Sequence, residues 1–326
     1  MLSWLRRGFI VTIAAVIAYV AYTRLKPRPI STESLHTDGQ FVSVEGLQIH
    51  YRVAGSGPPL ILIHGIFANL FGWRHVFDQL AQEHTVYALD LKGHGLSDKP
   101  ASGDYSPFGM ADLVAHFMDA LGVDSAAVIG QSMGGAIAAA LAVRHPTRVQ
   151  RLVLVDAAGY ALNYHIMPLL TRVAGSAAAG FVFRRSAPHR GLSARLLRNC
   201  YYEPDRTCTP DVIDGYFLPL LTPGASGVIA PLARDFGQTS IAHRLKEIQA
   251  PTLIMWGQYD AVIPMHWGYR FQQDIANAEL VVIPKCGHCP HEEEPETLLE
   301  TVNGFLQRSD TARNGPQNEG RTAANT

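Results

Sequence analysis

A serine inside a short glycine-bounded turn is the residue of this sequence best suited to nucleophilic chemistry. Ser132 lies in the run Gly-Gln-Ser-Met-Gly, which follows the apolar, strand-like segment 126–129 and opens the alanine-rich, helical segment 134–145. The flanking glycines let the backbone bend sharply, which lifts the serine hydroxyl clear of both elements. The N-terminus of the following helix would face negative charge that forms beside the hydroxyl. We therefore expect Ser132 to act as a nucleophile.

A serine hydroxyl becomes an effective nucleophile when a histidine removes its proton and a carboxylate orients that histidine. Asp260 comes just after the apolar run 252–256, and His288 comes just after the apolar run 280–283. Both runs read as strands, so both side chains are expected on loops at strand ends. The order along the chain is serine, acid, histidine. The sequence therefore predicts a triad of Ser132, Asp260 and His288.

The acid has one rival. Asp156 follows another strand-like run, Val153–Val155. The pattern Gly-Gln-Tyr-Asp-x-x-Ile-Pro around Asp260 resembles the commoner site of the acid in serine hydrolases of the α/β-hydrolase fold, some of which place the acid at the position of Asp156 instead. By this resemblance we favour Asp260.

These motifs together resemble the serine hydrolases of the α/β-hydrolase fold, over roughly residues 40–306. The run that begins at Asp90, Asp-Leu-Lys-Gly-His-Gly-Leu-Ser, and the run Pro-Thr-Leu-Ile-Met-Trp-Gly from Pro251 also fit that family. The resemblance implies an α/β fold: a mostly parallel eight-stranded sheet with helices on both faces and a helical cap. Alternating strand-like and helical runs, such as 84–89 followed by 108–121, agree with this.

The resemblance also assigns supporting roles. It makes His288 the general base and acid, and it makes the backbone N–H groups of Met133 and Ile66 the oxyanion hole. His64, in the same loop as Ile66, is expected to hold that loop by hydrogen bonds. Substrate-binding residues are predicted from their positions along the same sequence: Phe67, Gln131, Phe217 and Leu218.

The residue type at the nucleophile position predicts the reaction. Serine supports acyl transfer to water, whereas epoxide hydrolases and haloalkane dehalogenases of this fold carry aspartate there. A carboxylesterase or lipase is favoured over a carbon–carbon hydrolase of ring-cleavage products. Those hydrolases usually have Asn before the serine and Trp after the histidine, where this chain has Gln131 and Cys289. The alternative of a different class is a non-catalytic binding protein of the same fold.

Composition limits the partners. The chain has 326 residues, 47% of them hydrophobic, and a formal net charge of −1, so it offers no basic field for nucleic acid. We expect a small-molecule ester as substrate and no cofactor or metal. Cys286 and Cys289 have the spacing of a redox or zinc pair, but zinc would compete for His288, so two isolated thiols are favoured.

The N-terminus carries an uncharged apolar run, Gly8 to Thr23, directly after Arg6 and Arg7. As a helix its 16 residues would span about 24 Å at ~1.5 Å per residue, against a hydrocarbon core of ~30 Å. We favour a single-pass membrane anchor. A cleaved export signal, which would place the protein in the periplasm or outside the cell, and a buried core helix are the alternatives.

The predicted organisation has five parts. Residues 1–30 form the anchor and tether, and 31–156 form the first part of the hydrolase core. Residues 157–240, where strand and helix cease to alternate, form the cap, and 241–308 complete the core. The polar tail 309–326 is predicted to be disordered.

Overall fold

The computed structural model describes residues 29–35, 37–160, 189–236 and 240–308. The predicted membrane segment Gly8 to Thr23, the predicted disordered tail and residues 161–188 and 237–239 of the predicted cap therefore lie outside the described residues. Strands are numbered β1 to β8, and α-helices α1 to α10, along the described chain.

One eight-stranded sheet organises the described core, in the order β1-β2-β4-β3-β5-β6-β7-β8. The first hairpin is antiparallel, β2 pairs antiparallel with β4, and every later pair is parallel. The predicted fold class is confirmed. The strands are Gln40–Val44, Leu47–Ala54, Pro59–Ile63, Thr85–Leu89, Ala126–Gln131, Val149–Val155, Thr252–Gly257 and Ala278–Ile283.

Helices cover both faces of this sheet. The α-helices are Phe77–Leu80, Pro107–Ala120, Met133–Arg144, Arg190–Arg198, Pro204–Thr207, Pro210–Phe217, Ile229–Asp235, His266–Asp274, Pro290–Glu293 and Pro295–Leu306. Alternate residues of β3 point to opposite faces: Ile61 joins the cluster under α2, α3 and α8, while Leu60 joins the cluster under α1 and α10. Because successive strand side chains alternate between faces, a strand buried on both sides reads as a continuous apolar run.

The stretch of residues 70–80, between β3 and β4, is not one continuous helix. The structure divides this stretch into a 3₁₀ turn, Leu70–Trp73, and the short helix α1. Gly72 lies inside the stretch and disfavours a continuous helix. A Cβ at Gly72 would lie 2.9 Å from the hydroxyl of Tyr216, so the glycine also allows α6 to approach closely.

Helices α4 to α7 lie between β6 and β7, in the described part of the predicted cap. The described end of the predicted tether contacts the same region, because the Ile30 N–H donates to Leu221 O at 3.1 Å. Thr37 Oγ1 lies 2.6 Å from His50 Nε2. Ile30 and Thr37 are thus held against the α6–α7 region and the core.

Within the four described ranges, no single helix is long and apolar enough to cross a membrane. The two segments Pro210–Leu221 and Ala225–Asp235, which meet at a bend of 78°, are together long and apolar enough for a span, judged by length and composition alone.

Candidate active site

The turn between β5 and α3 holds Ser132 in a strained backbone conformation, with φ 53° and ψ −118°. A non-glycine residue at such a positive φ costs about 1–3 kcal/mol and persists only where its surroundings enforce it. Here the serine N–H donates to Val155 O and its carbonyl accepts from the Ala158 N–H, both at 2.9 Å. The end of β6 therefore fixes the turn that presents Ser132.

Two glycines of the turn are required by close backbone approaches. A Cβ at Gly134 would lie 2.2 Å from Ile63 O, and a Cβ at Gly130 would lie 2.2 Å from Gly134 O. The start of α3 therefore sits directly on the end of β3. The loop after β3 also lies close to the serine, since a Cβ at Gly65 would lie 3.2 Å from the Cβ of Ser132.

His64 fixes the shape of that loop. Its Nδ1 lies 2.7 Å from Gly65 O, and its Nε2 accepts from the Leu91 N–H at 3.0 Å. Burial lowers the pKa of His64, which favours the neutral ring with its proton on Nδ1. The prediction that His64 holds the loop by hydrogen bonds is confirmed.

The next two residues of the loop, Ile66 and Phe67, are exposed at 44% and 45% although both are large and apolar. Phe67 adopts a positive φ of 55°. Since Gly65 is in contact range of Ser132, this apolar pair lies at the edge of the serine turn.

His288 and Asp260 come together as the sequence predicts. His288 Nδ1 lies 2.7 Å from Asp260 Oδ2. The other oxygen of Asp260 accepts from the N–H groups of Val262 and Ile263, at 2.7 and 3.0 Å. Burial works against the charged form of His288, but the hydrogen bond and the charge of Asp260 outweigh it, so the pKa of His288 is raised. Asp260 thus stabilises the imidazolium form of His288, which is the form that arises when the ring accepts a proton.

Asp156, the rival acid, makes no hydrogen bond with His288. It is fully buried, and its Oδ1 accepts from the Gly257 N–H at 2.9 Å. One oxygen of Asp156, one of Asp260 and a ring nitrogen of His288 lie within 4.8 Å of one another. A cation held by this group would have to replace the proton between His288 and Asp260. The arrangement favours Asp260 as the orienting acid.

The loop that carries His288 is fastened from several directions. The His288 N–H donates to Cys200 O at 2.7 Å, and the Gly287 N–H donates to Glu293 Oε1 at 2.9 Å. The other oxygen of Glu293 accepts from the Tyr202 N–H at 2.6 Å. The chain segment between α4 and α5 is therefore part of the setting of His288.

Glu292, beside Glu293, fastens the same region to the core. Its Oε2 pairs with Arg74 Nη2 at 2.6 Å, and its Oε1 accepts from the Tyr216 hydroxyl at 2.6 Å. Sequence reasoning missed both glutamates. The sequence signal was a run of three acids, Glu292 to Glu294, shortly after His288, and such a run by itself indicates solvated surface.

The structure places the four predicted substrate-binding residues in different settings. Gln131 is buried, and its side-chain amide donates to His288 O at 2.9 Å, so it braces the histidine loop. Leu218 lines a cleft of about 420 Å³ together with Phe71 and Arg74, and neither Ser132 nor His288 lines that cleft. Phe217 is itself buried. Phe67 alone keeps an exposed position beside the serine turn.

All four cysteines are free thiols. Cys286 lies near Glu293 Oε1, at 3.9 Å, whereas the thiol of Cys289 is in hydrogen-bond contact with that of Cys200. Cys286 and Cys289 therefore face different partners, which argues against a shared zinc ion. Cys286 and Cys289 are not joined to each other, as the sequence predicts.

The comparisons with known proteins agree with this architecture. The model of the α/β-hydrolase fold family matches residues 58–295. A 2-hydroxy-6-oxo-2,4-heptadienoate hydrolase from Pseudomonas putida is 30% identical, over 83% of this chain and 97% of its own. A meta-cleavage product hydrolase from Pseudomonas fluorescens IP01 is 27% identical, with a TM-score of 0.70, over 82% of this chain and 97% of its own. A membrane phospholipase A is 28% identical, with a TM-score of 0.69, over 96% of this chain and 99% of its own.

The chain belongs to the α/β-hydrolase fold family. With a serine at the strained turn and a histidine paired with a carboxylate, it is a serine hydrolase.

Proposed function

We propose that this protein hydrolyses carboxylic esters that carry an apolar acyl or alcohol group. Ser132 Oγ attacks the ester carbonyl while His288 accepts the hydroxyl proton, and Asp260 orients the ring and stabilises its charge. The N–H groups of Met133 and Ile66 stabilise the oxyanion. The intermediate collapses, and His288 gives its proton to the departing alcohol. Water, deprotonated by His288, then attacks the acyl-enzyme, which releases the acid and restores the serine.

The exposed apolar pair Ile66–Phe67 is the observation that carries the preference for apolar esters. An exposed large apolar side chain is informative where it borders a site, because water solvates it poorly and a ligand's apolar group can cover it. Both residues lie on the loop packed against Ser132. A hydrocarbon chain entering beside the oxyanion donors would bury them.

The test is a series of p-nitrophenyl esters of increasing acyl length, measured on the detergent-solubilised full chain. We expect kcat/KM to rise with acyl length, and we expect Phe67→Ser to reduce this rise while leaving acetate hydrolysis nearly unchanged. Ser132→Ala is the control for background hydrolysis. A flat or falling dependence on acyl length would refute the apolar-ester proposal.

A second candidate, carbon–carbon hydrolysis of ring-cleavage products, is favoured by the relatives. Two curated hydrolases of this kind are 29% and 30% identical and are covered over 95% and 97% of their lengths. Against it, Cys289 stands where those hydrolases usually have Trp. A 2-hydroxy-6-oxodienoate substrate, followed by its absorbance, decides between them: a kcat/KM above that for every ester would make this the main activity.

We also propose that residues 1–30 anchor and tether the protein to a membrane. The uncharged apolar run Gly8 to Thr23, directly after Arg6 and Arg7, supports this. Carbonate extraction tests the anchor, and mass spectrometry of the N-terminus tests for cleavage. Full-length protein in the carbonate supernatant would refute the proposal.

A further inference from the structure

Asp156 is a buried carboxyl that the proposed mechanism does not use. It is the first residue after β6, has no solvent exposure and adopts a positive φ of 43°. Its Oδ1 accepts from the Gly257 N–H, whereas its Oδ2 is buried and accepts no hydrogen bond from any described donor. Leaving an ionised oxygen buried without a donor is costly.

The missing partner is explained if Oδ2 is itself a donor. Asp260 lies beside Asp156: one oxygen of each lies within 4.8 Å of the other, and a hydrogen bond between the two carboxyls is among the causes that raise the pKa of Asp156. Both oxygens of Asp260 already accept hydrogen bonds: Oδ2 from His288, and Oδ1 from backbone N–H groups. Carboxylate oxygens have further lone pairs, so Asp260 can accept one more proton donor. A protonated Asp156 would supply it.

We propose that Asp156 is a positioning residue that stays protonated at neutral pH and donates its Oδ2 proton to Asp260. This hydrogen bond holds the Asp260 carboxylate in the orientation that its bond to His288 requires. It also partly neutralises the negative charge of Asp260. The inference rests on the proposed Ser132, Asp260 and His288 triad and adds a fourth group to it.

The charges around Asp156 also favour its protonated form. Burial, followed by the negative charge of Asp260, raises the pKa of Asp156 well above its usual range, and the Gly257 N–H does not offset this. Glu293 adds a further negative charge. His288 lies in the same cluster, but its ring proton is directed at Asp260. Two carboxyls this close in a buried site do not both ionise easily, and Asp260 is the one paired with the histidine.

Asparagine at position 156 provides the decisive variant, because its amide can accept from Gly257 and donate to Asp260 as a protonated acid does. We expect Asp156→Asn to keep kcat/KM within about threefold of the parent. The acid limb of the pH profile should stay in place. We expect Asp156→Ala to lower kcat by about 10- to 100-fold, because Asp260 loses a constraint.

An ionised Asp156 predicts a different result. Removing a second negative charge with Asn would then shift the acid limb down by about one unit or more, and that shift would overturn the proposal. An equal loss of activity in Asp156→Asn and Asp156→Ala would also overturn the proposal, since the asparagine amide would then not replace the protonated carboxyl as a donor to Asp260.

Infrared difference spectroscopy supplies a readout independent of catalysis. The parent at neutral pH should show the C=O stretching band of a protonated carboxylic acid that is missing from Asp156→Asn. Absence of this band in the parent would overturn the proposal even if Asp156→Ala failed to fold. Failure of the triad itself is separable, because it would appear as activity retained by Ser132→Ala.

Discussion

The side-chain amide of Gln131 donates to the backbone carbonyl of His288 at 2.9 Å. The residue before the serine and the backbone of the proposed general base are therefore joined by one direct hydrogen bond. This contact crosses from the end of β5 to the loop after β8, two elements far apart in the sequence, and it fixes how far that loop can move from the serine turn.

Removing the Gln131 donor should therefore reduce catalysis. We expect Gln131→Leu to lower kcat about tenfold, because one net hydrogen bond of about 1.4 kcal/mol is lost at the histidine loop. Steady-state kinetics on a short ester measures the change. Gln150→Leu is the matched control, since Gln150 bonds only to the exposed Ser125 hydroxyl. Equal activity in both variants would contradict the proposed brace.

The triad residues should each be essential. Ser132→Ala, His288→Ala and Asp260→Asn are each expected to lower kcat by roughly 10³-fold or more, because the three groups act as a unit. A fluorophosphonate probe should label Ser132 alone. Asp205→Asn, in an exposed ion pair with Arg198, is the control for a conservative acid replacement. Labelling that survives Ser132→Ala would disprove the assignment.

The activity should have an acid limb above pH 6.5. The pKa of His288 is raised from its ordinary value of 6.5, with the bond and charge of Asp260 outweighing burial. A general base must be neutral, so kcat/KM falls as the pH drops through this raised value. A pH–rate profile on a non-titrating ester gives the midpoint, and a midpoint below 6.5 would be contrary to the prediction.

The raised pKa of His288 also affects folding stability, but it favours stability at low pH, whereas it favours activity at high pH. The folded protein binds the His288 proton more tightly than the unfolded chain does. The contribution of His288 to the free energy of unfolding is therefore fully present below pH 6.5 and is lost as the pH rises through the pKa of the folded state. Chemical denaturation at several pH values, comparing the parent with His288→Gln, isolates this contribution.

Two glycine substitutions should have opposite effects on stability. Gly134→Ala forces a Cβ to within 2.2 Å of Ile63 O, and we expect a loss of about 1–3 kcal/mol or more. Gly304→Ala, in the exposed part of α10 with no atom within 4 Å of the new Cβ, should gain about 0.5–1 kcal/mol. Urea denaturation measures both changes. Destabilisation by Gly304→Ala would contradict the prediction.

The sequence predicted the sheet and the meeting of Asp260 with His288 because both leave local signals. Strands buried on two faces are continuous apolar runs, so β3, β5 and β7 could be placed within a few residues. Parallel strands end at one edge, so Asp260 and His288 could be expected to meet.

Side-chain partners chosen by the tertiary fold left no such signal. Gln131 was predicted to bind substrate because it precedes Ser132, but its partner is a carbonyl 157 residues away along the chain. Glu292 and Glu293 read as surface acids, yet both are buried against the segment that contains Tyr202 and Tyr216. Burial of a charged residue depends on neighbours that no local pattern specifies.

The hydrogen bond from the His288 N–H to Cys200 O makes catalysis dependent on a region outside the sheet. The segment around Cys200 has far less buried apolar surface beneath it than β5 or β7, so it is expected to open at a lower free-energy cost than the whole domain. Its opening would release the histidine loop while the sheet remained folded. On heating, ester hydrolysis should therefore disappear before the far-ultraviolet circular dichroism changes, and the rate of turnover would serve as a sensor of partial unfolding.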